Sequence, residues 1–137
     1  MLTQSELGCW GESYAARLYE RAGFKVLVRN SFNPYGKRLG EIDLVVIRRG
    51  ILVFVEVKTR ISTKFGLPEE SITRSKRVRL IKSAQWFIGQ HEEFHNTQYR
   101  IDVCAILVAS SAQYMVAVNL DKYVKYSKII TNAVELN

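Results

Sequence analysis

The sequence predicts an α/β or α+β fold in which helices pack on one sheet, in the order αβββαββ. Three observations carry that expectation. Apolar residues recur at helical spacing over 4–22 and 73–89. Apolar runs of strand length fill 24–30, 40–60, 99–108 and 113–120. The chain has 137 residues, which suits one domain and leaves little room for a second.

The first helix, 4–22, places Leu7, Trp10, Tyr14 and Leu18 at spacings of three and four, and Gly23 stops it. "FKVLVRN" (24–30) is a short strand, and "SFNPYGKRLG" (31–40) is a loop rich in Asn, Pro and Gly. "GEIDLVVIRRGILVFVEVKTR" (40–60) reads as two strands joined at Arg49-Gly50. After the loop "ISTKFGLPEES" (61–71), Ser71 or Thr73 caps a second helix over 73–89. Its inner side carries Leu80, Ile81, Ala84, Phe87 and Ile88. "YRIDVCAILV" (99–108) and "QYMVAVNL" (113–120) are the last two strands. The tail, 121–137, is a short helix or an extended arm, so the expected domain is the whole of 1–137.

Composition narrows the function classes. With 47% hydrophobic and 24% charged residues the chain reads as an ordinary soluble globular protein. No apolar run reaches the length of a bilayer span, so no membrane partner is expected. The start, "MLTQSELGCWGE", lacks the layout of a secretory signal. Cys9 and Cys104 form no CxxC and imply no disulfide framework. A reduced, cytoplasmic protein is the simplest expectation. The net charge of +7 and the pI near 9.6 favour a polyanionic partner, nucleic acid above all.

Charge in the central hairpin is the strongest chemical signal. If Arg49-Gly50 is a two-residue loop, Asp43 stands opposite Glu56 and Glu41 opposite Lys58. Ile42, Leu44, Val46, Val53, Val55 and Val57 then form a wholly apolar face. The other face is apolar near the turn, through Val45, Ile47, Leu52 and Phe54, and charged at its far end. Two carboxylates ~5 Å apart repel by roughly 3 kcal/mol at an effective dielectric near 20. Protonation, Lys58 or a divalent cation would relieve that repulsion. A charge pair at the solvated end of a sheet and a metal site both account for the pattern.

Three further stretches bear on function. Glu12 lies off the apolar stripe of its helix, among the small residues Gly8, Gly11, Ala15 and Ala16. Those neighbours either let a ligand reach its carboxylate or let the helix pack closely, with Glu12 exposed. "TRSKRVRLIK" (73–82) has five basic residues in ten, and no acid falls between Arg74 and Gln90. Lys76, Arg79, Lys82 and Trp86 make a basic helix face with one aromatic, suited to phosphate contacts. "HEEFH" (91–95) matches the HExxH zinc pattern, but it falls at a helix end without a third ligand. It reads as a polar helix terminus. Neither common phosphate-binding glycine loop is present, nor a serine nucleophile motif.

"GEIDLVVI", "FVEVKTR", "FGLPEESITRSKRVRLIKSAQ", "YRIDVCAIL" and "GESYAARLYERAGFKVLVRN", taken together, resemble the bacterial YraN-like family. These small proteins are related to Holliday junction resolvases, within the PD-(D/E)xK nuclease superfamily. The resemblance covers nearly the whole chain. It implies a restriction-endonuclease-like core with a central mixed sheet flanked by helices. It implies a metal-dependent DNA endonuclease that hydrolyses phosphodiesters in branched or otherwise structured DNA, with a role in repair or recombination. Asp43 matches the acid of the first motif strand, Glu56 the acid of the ExK motif, and Lys58 its lysine. Asp43, Glu56 and the Val57 carbonyl would hold Mg²⁺ or Mn²⁺, and Glu12 matches a helix glutamate of resolvase-like members. Gln85 lies where many nucleases of this fold carry a polar helix residue. Ile42 stands where the superfamily name has proline, and the loop 31–39 is longer than the family leads one to expect. The analogy with resolvases also suggests a homodimer. Two other expectations stand beside the enzyme: a nucleic-acid-binding module with a dormant site, and an adaptor for repair proteins.

Overall fold

Thr3 starts helix α1 (Gln4–Arg21) with a capping box. Its hydroxyl accepts from the Glu6 N–H, and the Glu6 carboxylate accepts from the Thr3 N–H. Gly23, at φ 91°, turns the chain out of the helix and into the first strand. The computed structural model describes residues 1–30, 42–64, 66–70 and 72–134. The predicted loop 31–39, Glu41 and Ser71 lie outside the described residues.

Five strands form one mixed sheet in chain order: β1 (Lys25–Arg29), β2 (Leu44–Arg48), β3 (Ile51–Arg60), β4 (Gln98–Val108) and β5 (Val124–Ile130). All neighbours are antiparallel except β3 and β4, which run parallel. That parallel pair is joined by the crossover helix α2 (Arg74–Gln90). Thr73 caps α2, its hydroxyl accepting from the Lys76 N–H at 3.1 Å. The order αβββαββ and the mixed sheet are as the sequence predicts.

The β2–β3 turn is the two-residue Arg49-Gly50 loop. Both residues have positive φ, 51° and 75°, which suits the right-handed twist of the flanking strands. Arg48 pairs with Ile51 and Leu44 with Val55, so paired numbers follow the predicted register. Period-two alternation then splits the core. Leu44, Val46, Val53 and Val55 pack with Leu7, Trp10 and Tyr19 of α1. Val45, Leu52 and Phe54 pack with Leu80, Ala84 and Phe87 of α2 on the opposite face. Ile42 departs from its expected face. It belongs with Val45 and α2, so the alternation slips between Ile42 and Leu44, at Asp43.

The expected strand at 113–120 is absent. Residues Ser110–Tyr114 and Ala117–Tyr123 form two 3₁₀ turns, and the last strand, Val124–Ile130, lies in the tail 121–137, in place of the expected short helix or extended arm. The turns bury Ala112 and Leu120 against α1, and Asp121 accepts from the Trp10 indole at 2.8 Å and pairs with Arg17 at 2.6 Å. Tyr114 and Val116 remain exposed. Their apolar character mimicked a strand without a sheet partner.

Candidate functional site

The site begins where the β2–β3 ladder ends. The Asp43 N–H donates to the Val55 carbonyl at 2.9 Å, and the Asn30 N–H donates to the Asp43 carbonyl at 2.9 Å. The Val57 N–H donates not to a strand carbonyl but to Asp43 Oδ2, at 2.8 Å. One carboxylate thus takes the place of a backbone acceptor, which fixes the Asp43 side chain between strands. Beside it, a cleft of about 370 Å³ opens between the first turns of α1 and the outer end of β3. Glu12, Asp43, Val57 and Lys58 all line it, with Gly8 and Cys9 at the helix side.

Glu12 is not the exposed glutamate that its place off the apolar stripe allowed. It is 5% exposed, with Arg29 Nε 3.7 Å from its carboxylate. Arg29 also donates to Ser13 Oγ on the same helix. The small residues around Glu12 serve both expected ends. Gly11 lies against Thr59, whereas Gly8 borders open space at the cleft.

Glu56 is 4% exposed and does not line the cleft. Two ammonium groups converge on its Oε1: Lys76 at 2.8 Å and Lys58 at 3.8 Å. Burial pushes the Asp43 carboxyl up to about 7, and the negative charges of Glu56 and then Glu12 push the same way, against the Val57 hydrogen bond and Lys76. Burial lowers the Lys58 amine and the nearby Lys76 lowers it further, against the pull of Glu56. Mutual electrostatic influence therefore ties Asp43 to both other acids, and the two lysines to each other. Among the described residues, no three Asp, Glu, His or Cys side chains converge closely enough to hold a metal by themselves.

The basic face of α2 divides in two. Arg79, Lys82, Gln85 and Trp86 are exposed, Trp86 at 42%. Arg79 donates to Ser75 Oγ along that surface. Lys76 does not share it, because its side chain turns inward to Glu56. Glu41, the expected partner of Lys58, lies outside the described residues. In the HEEFH stretch, α2 ends at Gln90 and a 3₁₀ turn follows, so the two histidines do not share one helix face. His91 lies 2.8 Å from the Phe87 carbonyl and stacks on the Phe87 ring, and His95 lies 3.4 Å from the Gly89 carbonyl.

Several residues of the site carry little signal in the sequence. Asn30 and Arg29 reach it only because β1 runs beside β2. Asp102, wholly buried in the middle of β4 opposite Val55, accepts from Tyr19, Arg100 and the Asn132 N–H. It is a satisfied structural carboxylate, and a lone acid in "YRIDVCAILV" was its only sign. Cys9 and Cys104 are both free thiols, the first exposed and the second buried. Among the described residues, no helix is long and apolar enough to cross a membrane.

Comparison with known proteins adds a family. Residues 11–106 match the model of a family described as "Uncharacterised protein family UPF0102". The chain is 46% identical over 110 residues to a UPF0102 protein of Roseiflexus castenholzii, covering 80% of this chain and 86% of that protein. It is 44% identical over 103 residues to one of Syntrophomonas wolfei, covering 75% and 85%. With one of Beutenbergia cavernae it shares 42% identity over 107 residues, covering 78% and 86%.

Proposed function

This chain belongs to the UPF0102, or YraN-like, family, and from that premise we propose that it is a divalent-metal-dependent DNA endonuclease acting on branched or otherwise structured DNA. The observation that supports this reading is the convergence of Glu12, Asp43 and Lys58 on one cleft, with Glu56 close enough to shift Asp43. Glu12 and Asp43 present carboxylate oxygens to the cleft and Glu56 lies beside it, with Arg29, Lys58 and Lys76 as the counter-charges. The hard oxygen donors of these acids fit Mg²⁺ or Mn²⁺, ions commonly held by one or two carboxylates with waters and phosphate oxygens filling the other positions.

Asp43 and Glu56 would hold that ion, with the Val57 carbonyl and Glu12 as further donors. When bound, it would supply Lewis acidity toward a phosphodiester. The chain's own residues do the rest. Val57 N–H holds the Asp43 carboxylate in orientation through Oδ2. Lys58 lines the cleft with an amine whose basicity is depressed. Such a group orients and activates an attacking water and offsets charge growing on the phosphate. Arg79, Lys82 and Trp86 offer an exposed surface for flanking phosphates and an unstacked base.

The test is cleavage of branched, flapped, nicked and linear DNA in Mg²⁺ and in Mn²⁺, with Asp43→Ala and Lys58→Ala in parallel. Each variant is checked for cooperative melting. The expected result is cutting by the parent and a loss of roughly 100-fold or more in each variant, the scale of removing a transition-state donor. The pairing of Glu56 with two ammonium groups favours a second reading, a DNA-binding module with a dormant site. Intact salt-sensitive binding with uncut DNA throughout would select it. Absence of DNA affinity at low salt would instead leave the adaptor role.

A further inference from the structure

The first turn of α2 holds Arg74, Lys76 and Arg77 and no acid. A helix N-terminus disfavours cations. Lys76, whose N–H bonds the Thr73 cap, also occupies the position where a capping-box glutamate would serve. It sits there against local preference, and its ammonium is turned away from solvent onto Glu56. Its side chain is 15% exposed and that of Glu56 is 5% exposed. A carboxylate this buried stays ionised only with a cation close by. Lys58 alone stands 3.8 Å from the shared oxygen, a full ångström farther than Lys76. Two ammonium groups therefore crowd a single carboxylate oxygen beside Asp43.

We propose that Lys76 is an internal stand-in for the divalent cation. Its ammonium neutralises Glu56 in the metal-free protein and competes with the metal for the same oxygen, so that Lys76 sets how tightly the site binds metal. This rests on the metal site proposed above. A metal ligated to the Glu56 carboxylate and an ammonium bonded to it repel each other, and by linkage each weakens the other's hold to the same extent. Lys76 thus acts through Glu56 as a positioning residue. It belongs to the site, not to the phosphate-gripping surface of α2.

The experiment measures Mn²⁺ affinity of the full chain without DNA, following free Mn²⁺ by electron paramagnetic resonance. Lys76→Met keeps an unbranched side chain and removes the charge, whereas Lys76→Arg keeps the charge. Arg77→Met removes a cation from the same turn at an exposed position, and so controls for general charge loss. Lys76→Met is expected to tighten Mn²⁺ binding by about ten-fold or more, a typical coupling between sites, while Lys76→Arg and Arg77→Met stay within about two-fold of the parent. In a Glu56→Gln background, Lys76→Met is expected to change nothing. Thermal melting in EDTA keeps the outcome readable. Lys76→Met should melt lower than the parent without metal and recover more with Mn²⁺. Parent binding that Lys76→Met leaves unchanged, or that Arg77→Met tightens as much, overturns the inference and leaves the metal site standing. Absence of Mn²⁺ binding in cooperatively melting parent and Lys76→Met protein overturns both.

Discussion

Asp43 is the residue at which backbone and chemistry meet. Its backbone N–H and carbonyl continue the sheet while its carboxylate accepts from the Val57 N–H, so the site cannot shift without the strands shifting. The cost is a carboxyl whose ionisation is opposed by burial and by two other acids, with its midpoint raised from 3.8 to about 7. The sign of the consequence is fixed by linkage. The folded protein keeps this proton where the unfolded chain has released it. The stabilisation is full below pH 4 and is lost as pH rises toward 7. Asp43→Asn keeps an oxygen for Val57 and removes the titration. In EDTA, the melting temperature of the parent should fall relative to Asp43→Asn from pH 4 to 7, and the difference should level off above that. Each kcal/mol corresponds to roughly 3–5 °C for a chain of this size, so calorimetry across the range resolves it. A difference independent of pH would show Asp43 ionising as an ordinary carboxylate. The hairpin register was legible because one turn dipeptide and strict alternation determine it. The slip at Asp43 was not, because a carboxylate replacing a ladder acceptor leaves no pattern in residue types.

Among the elements, α1 and α2 were legible nearly to their ends, because helical periodicity marks both, with Gly23 stopping the first and Thr73 capping the second. β5 was missed for a physical reason. It is an edge strand whose residues are mostly exposed, so Lys125, Tyr126, Ser127 and Lys128 show no apolar alternation. Its hold comes from pairing to β4 and from Tyr126 and Lys128, which both bond Glu69. The small residues of α1 were legible as close-packing positions, but their two roles were not separable. A methyl on Gly11 would meet Thr59 Oγ1 at 2.1 Å and Thr59 Cβ at 3.3 Å, whereas one on Gly8 meets nothing within 4 Å. Helix propensity favours alanine at both by about 1 kcal/mol. Against Thr59, which is β-branched and stiff, overlap of ~1–3 kcal/mol outweighs that gain. Gly8→Ala should therefore raise the melting temperature and Gly11→Ala lower it, with Thr59→Ala restoring the latter in the double variant. Equal shifts in the two single variants would mean that α1 does not rest on β3 at Thr59.

At the scale of the molecule, a sheet with one helix on each face brings together what the sequence keeps apart. Glu12 comes from α1, Asp43 and Lys58 from the central hairpin, and Lys76 from α2. The net charge of +7 was visible in composition, but its division into inner and outer cations was not. Helix periodicity groups Lys76 with Arg79 and Lys82, and only the fold shows Lys76 turned onto a buried acid while the other two face solvent. This division has a measurable counterpart in duplex DNA binding, on the function proposed above. Each phosphate contact contributes about 0.9 to the slope of log affinity against log salt. Replacing Arg79 and Lys82 together with glutamine should weaken binding at every DNA sequence and reduce that slope by roughly 1.8. Lys76→Met should leave the slope within error of the parent, because an ammonium already held by Glu56 releases no counterion when DNA arrives. Fluorescence anisotropy from 50 to 200 mM salt, about the range over which such contacts change affinity most visibly, separates the two. A slope that falls by one unit in Lys76→Met would place its charge on the DNA surface after all. An unchanged slope in the Arg79 and Lys82 double variant would move the DNA-binding face away from α2.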